Sequence, residues 1–178
     1  MDVKTVVDFW VLAGEERWFT KDAAFDGQLS VRFGDALKQA RLGAFDHWGE
    51  TPEGALGLVI LLDQVSRNIH RGSPLAFAGD AKALALAKTA VSRGYHQKLV
   101  APLAMWLVMP FEHAEDLDAQ HRCVALFASI GLNEMVYWAQ LHLDIIAHFG
   151  RFPHRNPVLG RKSTAEEIAF LQAGGFSG

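Results

Sequence analysis

Cysteine, long apolar runs, excess positive charge and strand-like alternation are all scarce in this 178-residue chain, and each scarcity removes a class of protein. Cys123 is the only cysteine, so no internal disulfide can form and a thiolate-rich metal site is excluded. It lies within the helical run RCVALFASI, where a small buried hydrophobe is the default role. The longest apolar stretches, ALGLVILL and LVAPLAMWLVMPF, fall short of the roughly 18 residues that cross a bilayer, and the second contains prolines. The opening MDVKTVVDFW has no basic leader, no long apolar segment and no small-residue cleavage site. No secretory signal is therefore read there, and a cytoplasmic location is expected. The formal net charge is −3, so no global positive field recruits nucleic acid or an anionic membrane, and neither partner is expected.

What remains is ordinary globular composition, with 50% hydrophobic and 21% charged residues. No linker or shift in composition divides the chain, so residues 1–178 are expected to form one domain that buries roughly two-thirds of its unfolded surface. Helix signals recur along it. Val3, Val6, Val7 and Trp10 share one face of a first helix, and Phe25, Leu29, Phe33 and Leu37 repeat every four residues in a second, closed by Gly43. Thr51-Pro52 opens a third that ends at Gly72, and Ser73-Pro74 gives the same start signal for a fourth ending at Gly94. The short break between these two predicts an antiparallel helical hairpin. A short apolar helix from about Ala101 should stop at Met109-Pro110. Another spans Asp116 to Ile130, and Asn133 is placed as the cap of one ending at Gly150. Ser163 and Glu166 read as a capping box for a last short helix. The expected fold is all-α, with about eight helices packed as antiparallel hairpins and no strand. Trp10, Trp18, Trp48, Trp106 and Trp138 are expected mostly in the core.

Three polar clusters interrupt this apolar pattern. The third helix is apolar all round its first turns, so Asp63, Gln64, Arg67 and Asn68 emerge from a buried segment, where charge must be paired. Asp63 and Arg67 stand in the favourable order for an ion pair one turn apart. With Arg71 they form either a salt-bridged helix end or a carboxylate- or phosphate-binding face. In the second cluster, MPFEHAED, helix capping explains Asp116 and Glu115 but leaves Glu112 and His113 as a carboxylate–imidazole pair suited to proton transfer or to holding a turn. No metal motif with trustworthy spacing is present, and no metal is expected. The third cluster, HFGRFPHRN, packs His148, Arg151, His154 and Arg155 into one loop, extended by Asn156. It reads as an anion site, as a solvated basic patch, or as an anchor for the C-terminal segment through Arg155 and Asn156. His142 sits in an apolar stripe and reads as a satisfied core histidine.

Each cluster lies at the C-terminal end of an apolar helix, so short connectors could gather all three at one end of the bundle. The segments VVDFW, ERWFTKDAAFD, LLDQVSRNIHRG, MPFEHAED, HFGRFPHRN and LGRKSTAEEIAFL together resemble the bacterial DUF924 family, a domain of unknown function, from about Val6 to Leu171. The resemblance implies an all-helical, tetratricopeptide-repeat-like fold and supplies no activity, substrate or cofactor. The family usually reads Asp-Gln-Phe-Pro-Arg-Asn where this chain has Asp63, Gln64, Val65, Ser66, Arg67 and Asn68, so the polar residues match and the aromatic-proline pair is absent.

The leading expectation is a pocket for a small phosphate- or carboxylate-bearing molecule. Arg67, Arg71, Arg151 and Arg155 would be its anion contacts, with Asp63, Asn68 and Asn156 beside them. Glu112, His113 and His154 would be the groups that move protons, and Phe111, Phe149 and Phe152 the apolar wall. The alternative is a scaffold whose stacked hairpins bind a peptide or protein partner. No cofactor is assigned.

Overall fold

Helix boundaries follow the caps. In the computed structural model, which describes residues 1–177, α1 (Val3–Ala13) begins where the Asp2 side chain accepts the Thr5 N–H, and it buries Val6 and Trp10. A short α2 (Glu15–Trp18) follows, and α3 (Ala23–Arg41), capped by Asp22, buries the predicted stripe Phe25, Leu29, Phe33 and Leu37. Thr51 caps α4 (Pro52–Val59), whose inner turns are wholly buried. The helix does not continue regularly from there. Residues Ile60–Val65 form a π-helical segment before the α-helical hydrogen bonding resumes in α5 (Ser66–Ile69). Such widened turns inside α-helices concentrate at functional sites, and this one carries Asp63 and Gln64.

The helix expected from Ser73-Pro74 starts later. Pro74–Phe77 is a single 3-10 turn, and α6 spans Asp80–Ser92. The reason is a close backbone approach: a Cβ on Gly79 would stand 2.2 Å from the Leu62 carbonyl oxygen of the π-helical segment, so the chain must pass that carbonyl as glycine before the helix begins. A short α7 (Tyr95–Lys98) leads to α8 (Ala101–Glu112), which runs past Met109-Pro110 where a stop was expected. Proline forfeits one hydrogen bond there, but the His113 N–H still reaches the Met109 carbonyl at 3.0 Å, and burial of every residue from Ala104 to Glu112 holds the turn.

Asp116 caps α9 (Leu117–Ser129), and α10 (Asn133–Phe149) ends at Gly150 in the left-handed conformation. Asn133 is the first helical residue; Leu132 occupies the cap and makes no side-chain bond. A 3-10 turn, Pro153–Arg155, precedes α11 (Ala165–Gln172), whose capping box is Thr164 with Glu167, one residue beyond the pair read from sequence. Glu167 fills that place because its carboxylate also meets Arg151 and Asn156.

The fold is all-helical, with no strand among the described residues. The segment from α4 to α5 lies at its centre. It packs against α1, α3, α6 and α8, and α9 joins α8 to α10. Trp106 meets Trp10 and Trp18 edge-on at 5.2 and 5.1 Å in that core, whereas Trp138 is 46% exposed, against expectation. Among the described residues no helix is long and apolar enough to cross a membrane.

Candidate functional site

The π-helical turn places Asp63 inside the molecule with no solvent exposure. Its carboxylate meets His113 Nδ1 at 2.8 and 3.0 Å and Arg67 Nη1 at 2.9 Å, and accepts the Gln64 side-chain amide at 2.5 Å. Burial alone would push the carboxyl pKa up. The charges of Arg67 and His113, with these hydrogen bonds, overcome it and hold the group at about 2, so Asp63 is ionised. An ionised partner fixes the tautomer of His113, with the proton on Nδ1 and the lone pair on Nε2. Burial and Arg67 lower the imidazole pKa, while Asp63 opposes them.

Glu112 and His113 were expected to act as a pair, and the structure separates them. His113 closes α8 and turns to Asp63; Glu112 turns inward, 3% exposed, with Oε1 3.4 Å from His142 Nδ1. Glu112 Oε2 has no partner among the described residues. Burial, then the nearby charge of Asp63, pushes the Glu112 carboxyl up to about 8, so it is neutral at pH 7. The same burial, with Glu112, pushes the Cys123 thiol far up, which leaves it unreactive in the folded chain. His142 donates from Nδ1 to the Trp138 carbonyl at 2.8 Å and lines a cavity as well as the core.

That cavity, about 550 Å³, lies beside the dyad and is lined by Arg67, Arg71, His113, His142, His154 and Arg155, together with Lys21 and an apolar side of Phe77, Val158 and Phe176. The apolar wall expected from sequence is elsewhere. Phe111 is in the core, Phe149 packs on Phe170, and Phe152 lies fully buried beneath Arg155.

The arginines of the cavity are unequally satisfied. Arg67 grips Asp80 through two bonds, at 2.8 and 3.0 Å, besides Asp63. Arg71 holds Asp26 at 2.6 and 3.1 Å and the Asn68 side-chain oxygen Oδ1 at 2.5 Å, while the Asn68 amide donates to the Gln64 backbone carbonyl. Arg155 is different. Its guanidinium is sandwiched between Phe77 and Phe152, with ring centroids at 4.9 and 4.3 Å, and donates to the His113 carbonyl at 3.0 Å. Its ion-pair partner, Asp80, stands 3.9 Å away, and its buried Nε has no partner among the described residues. Burial and the charge of Arg67 bring it down to about 10. Burial is also the main cause that holds His142 and His154 at about 4, with the charge of Arg155 adding to it.

Arg151 and Asn156, expected as ligand contacts, brace α11 instead. Arg151 bonds Glu167 at 2.6 and 2.9 Å, and the fully buried Asn156 donates to Glu167 and to Ser163. His148 reaches outward to Glu166. Of the three clusters, Arg67 and Arg71 of the first, His113 of the second, and His154 and Arg155 of the third line one hollow, while Asp63, Gln64 and Asn68 lie buried behind it. Sequence reasoning missed Asp80, Phe77, Lys21 and Phe176. Asp80 carries no sequence signal of its own, because no local spacing ties it to Arg67, 13 residues away. Among the described residues no group of three or more potential ligands is placed to hold a metal ion.

Comparison with known proteins agrees with this helical arrangement. The sequence profile of a bacterial family of proteins of unknown function, DUF924, matches residues 6–175. The chain belongs to this family. A solved structure, that of the protein of unknown function ATU0120 from Agrobacterium tumefaciens, superposes with a TM-score of 0.93. It is 42% identical and covered over 97% of each chain. No curated protein matches.

Proposed function

We propose that this DUF924 domain binds a small anionic molecule, bearing a phosphate or carboxylate group, in the cavity against Arg155, and that His113 acts on it as a general base. The observation that carries this reading is the imbalance at Arg155, a nine-tenths-buried cation whose ion-pair partner stands 3.9 Å away. A buried charge left short of partners is expensive, and an anion in the cavity would supply what is missing. The aromatic sandwich holds the guanidinium plane in place before the ligand arrives, which reduces the ordering needed on binding.

The Asp63–His113 dyad supplies the chemistry. Asp63 holds the imidazole by Nδ1, so the basic Nε2 is free to take a proton from the bound molecule or from a water beside it, and the ionised carboxylate stabilises the imidazolium that results. Burial, with the charge of Arg67, keeps the resting imidazole neutral and therefore ready to accept.

The test is titration of the protein with inorganic phosphate while the imidazole signals of His113, His142 and His154 are followed by NMR across pH. Binding beside Arg155 should raise the pKa of all three, because an added negative charge favours each imidazolium. Arg155→Gln, checked for native helicity by circular dichroism, should abolish the effect. Unchanged imidazole pKa values at about 20 mM phosphate, well above a millimolar Kd, would refute the anion reading.

A further inference from the structure

The larger cavity does not end at His113. A second hollow of about 310 Å³ adjoins it, and Phe77, His113 and Arg155 line both. The two differ in the sign of their walls. The charged side chains around the larger are Lys21, Arg67, Arg71 and Arg155; around the smaller they are Asp80, Glu115 and Asp116, with Arg155 in the shared partition. Asp80 and Glu115 each face a guanidinium, from Arg67 and Arg161. Asp116 does not. One of its oxygens accepts the Ala119 N–H at 2.9 Å, and the other stands 3.8 Å from Lys88 Nζ, beyond hydrogen-bond reach. A carboxylate has about four acceptor positions, and Asp116, 45% exposed, spends one on the Ala119 N–H, so the smaller hollow retains capacity for a donor. The partition itself contains the buried Arg155 Nε, unpartnered among the described residues, between the two walls of opposite sign.

We propose that the ligand is a zwitterion, an amino-acid-like molecule whose anionic group lies in the larger cavity and whose ammonium or guanidinium group lies in the smaller one. Its middle then crosses the partition at His113 Nε2. Opposite potentials at the two ends orient such a molecule in one direction only, and they discriminate against both simple anions and simple amines. The bare apolar sides of Ala81, Leu84 and Leu159 in the smaller hollow suit the methylene chain that carries the cation.

This inference rests on the anion reading above, and the experiment separates the two. Calorimetric titrations compare 4-aminobutyrate and 6-aminohexanoate with butyrate, hexanoate and butylammonium. One of the amino acids should bind about tenfold more tightly than the acid of its own length, the gain of a single well-placed charge-assisted contact, while butylammonium alone shows no binding. Asp116→Asn keeps the helix cap, because asparagine caps as well as aspartate. It should remove at least about threefold of that advantage while leaving the affinity for butyrate and hexanoate unchanged. Acids that bind as tightly as both amino acids would overturn the zwitterion and spare the anion site. Absence of binding by every carboxylate would overturn the zwitterion, and the phosphate titration decides the anion site separately.

Discussion

Replacement of Glu112 by glutamine should stabilise the protein, and the gain should grow with pH. Glu112 is buried beside ionised Asp63, and its carboxyl is raised from an ordinary 4.5 to about 8. The folded state therefore holds a proton that the unfolded chain releases, so stability falls as pH rises from 4.5 to 8 and is level above that. At pH 7 the difference is about 2.5 pKa units, or about 3 kcal/mol, and above pH 8 it reaches about 5 kcal/mol. Glutamine has the same shape and cannot ionise. Its amide needs an acceptor where Oε2 now has no partner, which returns about 1 kcal/mol. The expected net gain is about 2 kcal/mol at pH 7 and about 4 kcal/mol at pH 9, turning to a loss of about 1 kcal/mol at pH 4.5. Urea unfolding followed by circular dichroism at pH 5, 7 and 9 measures it directly. A difference between Glu112→Gln and the parent that stays constant across that range would show that Glu112 is ionised in the folded state and would refute the reasoning.

Two further outcomes test the fold around the site. Gly79→Ala should destabilise by more than about 2 kcal/mol, read as a lower Tm in calorimetry, because the added methyl meets the backbone carbonyl of Leu62, which cannot rotate away. An unchanged Tm would mean that α6 does not pass the π-helical turn so closely. Glu167→Gln should loosen α11 while the core keeps its protection: amide exchange should accelerate within Ala165–Gln172 and leave α4 and α8 untouched. The Glu167 carboxyl is held at about 2, chiefly by its bonds to Arg151, so in the parent the same loosening should appear only as pH falls from 4.5 towards 2.

Helix identities were legible in the chain because caps and stops are local chemistry. Thr51-Pro52, Asp22, Asp116 and Gly150 each act where their residue types predict. What sequence could not show depended on contacts between distant segments. Gly79 delays α6 because of Leu62, and Glu167 displaces Glu166 as the capping partner because Arg151 and Asn156 recruit it. The site divides in the same way. Asp63 with Arg67 was readable as a pair one turn apart, but Asp63 with His113 spans 50 positions and leaves no periodic trace. The arginine-histidine loop stands out by residue type, yet its members split between two tasks: Arg155 and His154 turn to the cavity, while Arg151 and Asn156 secure the last helix. Residue type gave the chemistry available, and only packing gave its direction.

The solitary thiol of Cys123 has a use that its chemistry in the native state hides. It is fully enclosed, behind a neutral carboxyl, and its thiol is held far above the range at which thiolates form. An alkylating reagent can therefore reach it only in molecules whose α8–α9 core has opened, and the labelling rate becomes a native clock for that opening. Because one chain carries one such group, mass spectrometry can count opened molecules one by one, with no engineered probe. Ligands that tighten the Asp63–His113 end of α8 should slow the clock by the factor by which they stabilise the fold.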